Sequence, residues 1–176
     1  MLSSSGGHCV REACEALLRA RGARVPVTVK WPNDVRIGER HHERKCAGIL
    51  VESSSMGDKL GPIVIGIGLD VNRTQWPPEL DGIATSLRDA CGDALDRAEV
   101  LAELLGHVES AVDRLAQKGA AAIIAELRAH LAMVGDEVEI DGRAGTLAGI
   151  DDDGLLLVRE GEQLRRVASG TLRRRG

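Results

Sequence analysis

The chain has 176 residues, 43% of them hydrophobic, with a formal net charge of −4 and a pI near 5.8. That length suits one domain with a small appendage, and that charge gives no basic field to steer a polyanion. With no Phe or Tyr and only Trp31 and Trp76, it lacks the aromatic surface on which single-stranded nucleic acid stacks, and no apolar run approaches the roughly 18 residues that span a bilayer.

Met1–Gly7 carries neither the basic nor the apolar stretch of a secretory signal. His8 to Arg21 follows with Val10, Ala13, Cys14, Leu17 and Leu18 at helical spacing, which predicts an amphipathic helix ended by Gly22. His8 has no partner in the sequence and is expected to be exposed. The cysteines at 9, 14, 46 and 91 form no Cys-x-x-Cys pair and read as reduced small hydrophobes of a cytoplasmic protein.

Val25, Val27 and Val29 alternate as in a strand with one buried face. Pro32 removes a backbone donor and stops that strand, which delivers Asn33 and Asp34 at its tip. Val35 and Ile37 lead through a Gly38 turn to Lys45, so a hairpin links the two. His41, His42 and Cys46 match no metal-ligand spacing, and no metal site is expected there. Ala47–Val51 is a short continuous apolar run, the pattern of a strand covered on both faces. Ile63–Leu69 is a third such run, interrupted by Gly66 and Gly68. Residues two apart share a strand face, so both vacancies open on one side and leave room for something flat. Asp70-x-Asn72 ends that strand, and Trp76 reads as a loop anchor.

A short helix capped by Thr85 or Ser86 runs toward Gly92. A longer one starts near Asp96, is interrupted at Lys118-Gly119 and resumes over Ala120–Leu131; these helices are expected to cover the sheet. From about Met133 the apolar period becomes alternating, with turns at Asp141-Gly142, Asp151–Gly154 and Glu160-Gly161. That spacing predicts a small antiparallel barrel of three short strands. About 45 residues bury too little surface to be secure alone, so this unit should dock on the first. Asp151–Asp153 reads as an Asp-Gly turn rather than a calcium loop, and Arg173–Arg175 as a solvated, fraying basic tail.

Three pieces in this order resemble the catalytic domain of biotin protein ligases: Lys30-Trp31-Pro32-Asn33-Asp34, then Lys45-x-x-Gly48-Ile49-Leu50-x-Glu52, then Ile65-Gly66-x-Gly68-x-Asp70-x-Asn72, where Asp70 stands in place of the family's first Asn. Ala84–Leu87 resembles the family's Ala-Thr-Ser-Leu segment, and Ala148–Asp151 and Ser169-Gly170 resemble pieces of its SH3-like C-terminal domain. The resemblance implies an α+β protein: a partial biotin/lipoate-ligase-like catalytic domain with a mixed sheet over 1–132, and an SH3-like β-barrel over 133–176. It implies ATP-dependent activation of biotin to biotinyl-5′-AMP and transfer to a lysine of a biotin carboxyl carrier domain, with biotin and ATP as substrates and Mg2+ as companion ion. By resemblance Lys45 is the cation on the biotin carboxylate and the phosphate, and Asp34 the general base for the incoming amine. Asn33, Trp31 and Asp70 would contact the adenylate, and Gly48, Gly66 and Gly68 would lie under the biotin rings.

The family's glycine- and arginine-rich loop and its upstream strands have no counterpart in the sequence. The resemblance therefore implies a truncated catalytic domain, impaired activity and an exposed sheet edge. Two other readings stand beside it: a non-catalytic biotin- or adenylate-binding module completed by a second copy or a complementing chain through strand addition, and a lipoate-ligase-like enzyme, against which the Trp-Pro-Asn-Asp box and the SH3-like tail argue. No DNA partner is expected, since the sequence has no helix-turn-helix, and no membrane partner.

Overall fold

The computed structural model describes residues 2–56 and 59–175. Helix α1 (Leu2–Ala20) leads into a sheet of order β1 (Val27–Lys30), β2 (Asp34–Ile37), β3 (Arg44–Met56) and β4 (Lys59–Leu69). Its four strands pair antiparallel throughout, and Val29 and Lys45 add isolated parallel bridges to Leu131 and Ala84. Val10, Cys14, Leu17 and Leu18 of α1 bury their apolar stripe against Val27, Val35, Ile37, Ala47 and Ile49.

The register sorts the two faces. Val29, Val35, Ala47 and Leu69 align across the four strands on the α1 side, and Lys30, Asp34, Gly48 and Gly68 form the neighbouring row. Successive side chains alternate, so that second row lies on the opposite, open face. The expectation that Ala47–Val51 is covered on both faces is therefore corrected: Ile49 is 1% exposed and Leu50 61%. A continuous apolar run need not mean two covered faces. Among the described residues β4 is an edge strand, with Ile63, Val64 and Ile65 all exposed.

Helix α2 (Leu87–Cys91) is capped by Ser86, whose hydroxyl accepts from Asp89 N at 3.0 Å, and closed by Gly92 in the left-handed region. Helices α3 (Arg97–Lys118) and α4 (Ala120–Ala129) pack chiefly on α1. They also reach the sheets: Ile124 and Leu127 of α4 share a core with Val29 and Trp31, and Val108, Ala111 and Leu115 of α3 line an apolar cavity with Ile65 and Ile67 of β4. His8 is 2% exposed, which overturns its reading as a surface residue. Its Nε2 lies 3.2 Å from Glu126 Oε2 on α4 and 3.7 Å from Glu12 Oε1, while Arg114 of α3 holds Glu12 at 2.7 Å. Partners that far along the chain leave no local signal.

The C-terminal sheet has five strands, not three: β5 (Glu137–Ile140), β6 (Arg143–Ile150), β7 (Leu156–Glu160), β8 (Gln163–Val167) and β9 (Leu172–Arg174), in the order β8-β7-β6-β5-β9. β8 and β9 are its two edges, so among the described residues it is open, not a closed barrel. Asp151 Oδ1 accepts from Asp153 N and Leu155 N, both at 2.9 Å; the acidic triplet is a turn. The basic tail does not fray. Arg174 lies on β9, its Nε 2.7 Å from Asp136 Oδ2 and its Nη1 3.4 Å from Glu43 Oε2, and Arg175 N bonds Glu137 O at 2.9 Å.

The two sheets share a seam. Val29 N donates to His130 O at 2.9 Å and Ala132 N to Val29 O at 2.8 Å. Val29 and Trp31 join Ile124, Leu127, Leu131, Val138, Leu147 and Leu172 in one core.

Candidate functional site

The open face is built around Lys45. A register shift between Val35 and Arg36 pairs Lys45 with Arg36, a bulge that re-aims the strand end. A loop then locks the Lys45 backbone, with Lys45 N to Ile83 O and Thr85 N to Lys45 O both at 2.8 Å. Its Nζ meets Asp34 Oδ1 at 2.5 Å; the lysine is 44% exposed, the aspartate 20%. A Cβ on Gly48 would sit 3.1 Å from that Nζ, whereas one on Gly68 or Gly66 would meet only the carbonyl oxygen of Gly48 or the edge of Leu50, beyond 3.6 Å. The glycines thus leave a bare floor beside an ion pair.

Other charges gather here. Burial pushes the Asp70 carboxyl above the usual carboxylate range against the pull of Arg73 and Lys45. Burial and the neighbouring Arg36 lower the Lys30 ammonium, with Lys45 and Arg173 adding to the effect and Asp34 opposing it. Lys30, Arg36 and Arg173 were not among the expected site residues. Lys30 stands in the Trp-Pro-Asn-Asp box and Arg36 two residues beyond Asp34, so their spacing signalled a shared face. Nothing in the sequence points to Arg173.

Trp31 is the clear correction. At 3% exposure it belongs to the seam core, and its indole offers no face to an adenylate. Asn33 ties its own turn to β3: its Nδ2 donates to Ile49 O at 3.0 Å and Ile49 N donates to Asn33 O at 2.9 Å. Asn72 makes a two-way clamp on Leu95, at 2.8 and 2.9 Å. Trp76 is a loop anchor, its Nε1 3.0 Å from Asp89 Oδ2 and Arg73 stacked 4.9 Å over its ring.

Residues 7–70 match the Biotin/lipoate A/B protein ligase family, and residues 138–171 the Biotin protein ligase C terminal domain. The apo structure of biotin protein ligase from Aquifex aeolicus matches with a TM-score of 0.83 and 30% identity, over 99% of this chain and 74% of that one. The chain belongs to the biotin protein ligase family. A. aeolicus ligase in complex with biotin and ATP gives the same TM-score and identity, over 71% of its length. The biotin–[acetyl-CoA-carboxylase] ligase of Mycobacterium tuberculosis is 31% identical over 174 residues, 96% of this chain and 60% of that protein. The bifunctional ligase/repressor BirA of Bacillus subtilis is 31% identical over 156 residues, 85% of this chain and 47% of that protein. The chain thus spans about half the length of these curated relatives. The α+β class and SH3-like C-terminal region of a biotin protein ligase hold for it, and no described helix is long and apolar enough to cross a membrane.

Proposed function

We propose that this chain carries the biotin-activating and biotin-transferring face of a biotin protein ligase. The observation that supports this most is the row Lys30–Asp34–Gly48–Gly68 on the open face, with Lys45 Nζ fixed beside it at 2.5 Å from Asp34. The fused rings of biotin lie flat on Gly48, Gly66 and Gly68. A biotin carboxylate oxygen attacks the α-phosphorus of ATP and pyrophosphate leaves. Lys45 neutralises the charge that builds on the phosphate oxygens, an interaction worth most where water is excluded. A carrier-domain lysine then attacks the acyl carbon, AMP departs, and Asp34 takes the proton that the amine must lose. Asn33 keeps an adenine-facing role through its side-chain Oδ1, because its Nδ2 and its backbone oxygen are both engaged with Ile49.

Asp70 fits Mg2+: a partly buried carboxyl raised by desolvation gains from a divalent cation, and Mg2+ takes one or two carboxylates and completes its shell with water and phosphate. The partners are a biotin carboxyl carrier domain and, for the catalytic unit at 1–132, a second copy or a complementing chain on the free β4 edge; the SH3-like unit is 133–176. Four free thiols suit a cytoplasmic setting.

Calorimetric titration of the purified chain with biotinyl-5′-adenylate, beside biotin and ATP singly, tests this. Adenylate binding that Lys45→Ala abolishes supports it. A folded chain that binds none of the three overturns it.

A further inference from the structure

Arg36 is a half-buried cation that makes no ion pair among the described residues. Asp34 is taken by Lys45 at 2.5 Å, Glu43 by Arg174 at 3.4 Å, and Asp136 by Arg40 and Arg174 at 2.5 and 2.7 Å. No ion pair to Arg36 forms among the described residues, and its buried Nε has no hydrogen-bond partner. Its cross-strand neighbour Thr28 has a buried hydroxyl oxygen in the same condition. A half-buried guanidinium without a partner carries an uncompensated desolvation cost. Burial, with Arg174 adding to it, holds its proton affinity below the ordinary arginine value despite the longer-range pull of Glu43 and Asp34.

Position says what the missing partner is. Arg36 pairs with Lys45 on one side and Thr28 on the other, and paired residues lie about 5 Å apart. It therefore stands one step beyond the α-phosphate position proposed above. It lines an open polar cavity of about 530 Å³ with Arg44, His41, His42, Glu43 and Arg174. Arg36, Lys45 and Arg173 all act on Lys30, with Asp34 opposing them, and Arg36 feels Glu43, Asp34 and Arg174, so cations outnumber carboxylates around it. A guanidinium fork matches two phosphate oxygens at once, and a hydroxyl adds a third donor.

We propose that Arg36, with Thr28 beside it, forms an oxyanion subsite that receives the two outer phosphates of the nucleotide and holds them as pyrophosphate when the α-phosphate is attacked. This rests on the ligase reading for its position, but its ligand can be tested alone. The chain is titrated calorimetrically with inorganic pyrophosphate and, separately, with biotinyl-5′-adenylate, which lacks those phosphates. Pyrophosphate affinity should fall at least tenfold in Arg36→Gln, recover partly in Arg36→Lys and weaken in the isosteric Thr28→Val, while adenylate affinity in Arg36→Gln changes less than threefold. Unaltered pyrophosphate affinity in Arg36→Gln, no pyrophosphate binding by the folded chain, or equal loss of both ligands overturns the subsite. Arg36-dependent pyrophosphate binding by a chain that ignores the adenylate upholds the subsite and sinks the ligase reading instead.

Discussion

Lys45 on β3 and Asp34 on β2 meet across the sheet at 2.5 Å, beside the position a Gly48 side chain would occupy. Each neutralises the other until a ligand arrives. Under the proposed ligase reading, an incoming phosphate would compete with Asp34 for the ammonium and, by taking it, would release the carboxylate to accept a proton. Pairing thus stores both groups in a ready state on adjacent strands.

Lys45→Ala should leave the fold intact, because the side chain is nearly half exposed and surface changes typically move stability by about 0.5 kcal/mol or less. Adenylate affinity should drop about 100-fold, within the range of about 2–5 kcal/mol for truncating one partner of a hydrogen-bonded charge pair. Thermal melting and calorimetry on the same sample separate the two effects.

The glycine floor makes a sharper distinction. In Gly68→Ala the added methyl meets only Gly48 O at 3.8 Å, so chemical denaturation should move little while ligand affinity falls at least tenfold. In Gly48→Ala the methyl arrives 3.1 Å from Lys45 Nζ and must displace the ammonium. Binding should suffer there even for ATP without biotin, which the Gly68 variant should spare.

Trp31→Ala should cost about 3–5 kcal/mol as a large core truncation, since the ring is 3% exposed in the seam core. Urea unfolding followed by circular dichroism measures it. Trp76→Ala should shift stability by less than about 1 kcal/mol, and intrinsic fluorescence should assign the blue-shifted emission to Trp31.

Acid should loosen the contact between the hairpin and the C-terminal sheet. Burial raises the Asp136 carboxyl, but hydrogen bonds from Arg40 and Arg174 outweigh it and hold it below the ordinary carboxylate value of 3.8. A depressed folded value means stability present above 3.8 and lost as pH falls through the folded value. Asp136→Asn should therefore destabilise at pH 7 and differ progressively less from the parent chain as pH falls below 3.8, read from denaturant midpoints.

His8 should produce a second slope at higher pH. Burial, with Arg11 and His130 adding to it, lowers the imidazole below its ordinary 6.5 despite Glu12 and Glu126. The unfolded chain binds the proton more readily, so stability is full above pH 6.5 and declines as pH falls toward the folded value. In His8→Gln the midpoint should flatten over that interval; an unchanged slope would assign it elsewhere.

Local patterns carried most of the first sheet. Period-two alternation located β1 and β2, the paired glycines marked the open face, and Gly22 and Gly92 closed helices where expected. Long-range pairing was not readable. His8 met Glu126, Arg174 met Glu43, and Trp31 met the C-terminal core, each across about a hundred residues or more. The same blindness made a ligand contact of Trp31 and a loose tail of β9, because a buried indole and an edge strand look like ordinary polar-segment neighbours until the partner sheet is in place.

The strand of hydrogen bonds joining Val29 to His130 and Ala132 has a mechanical consequence. It pins the segment leading into the small sheet beside Trp31, and Val138, Leu147 and Leu172 of that sheet share the indole's core, so the small sheet is the lid on the box's own anchor residue and not cargo on a tether. Cutting the chain at 132 would uncover that indole, and heating the intact chain should melt both halves together.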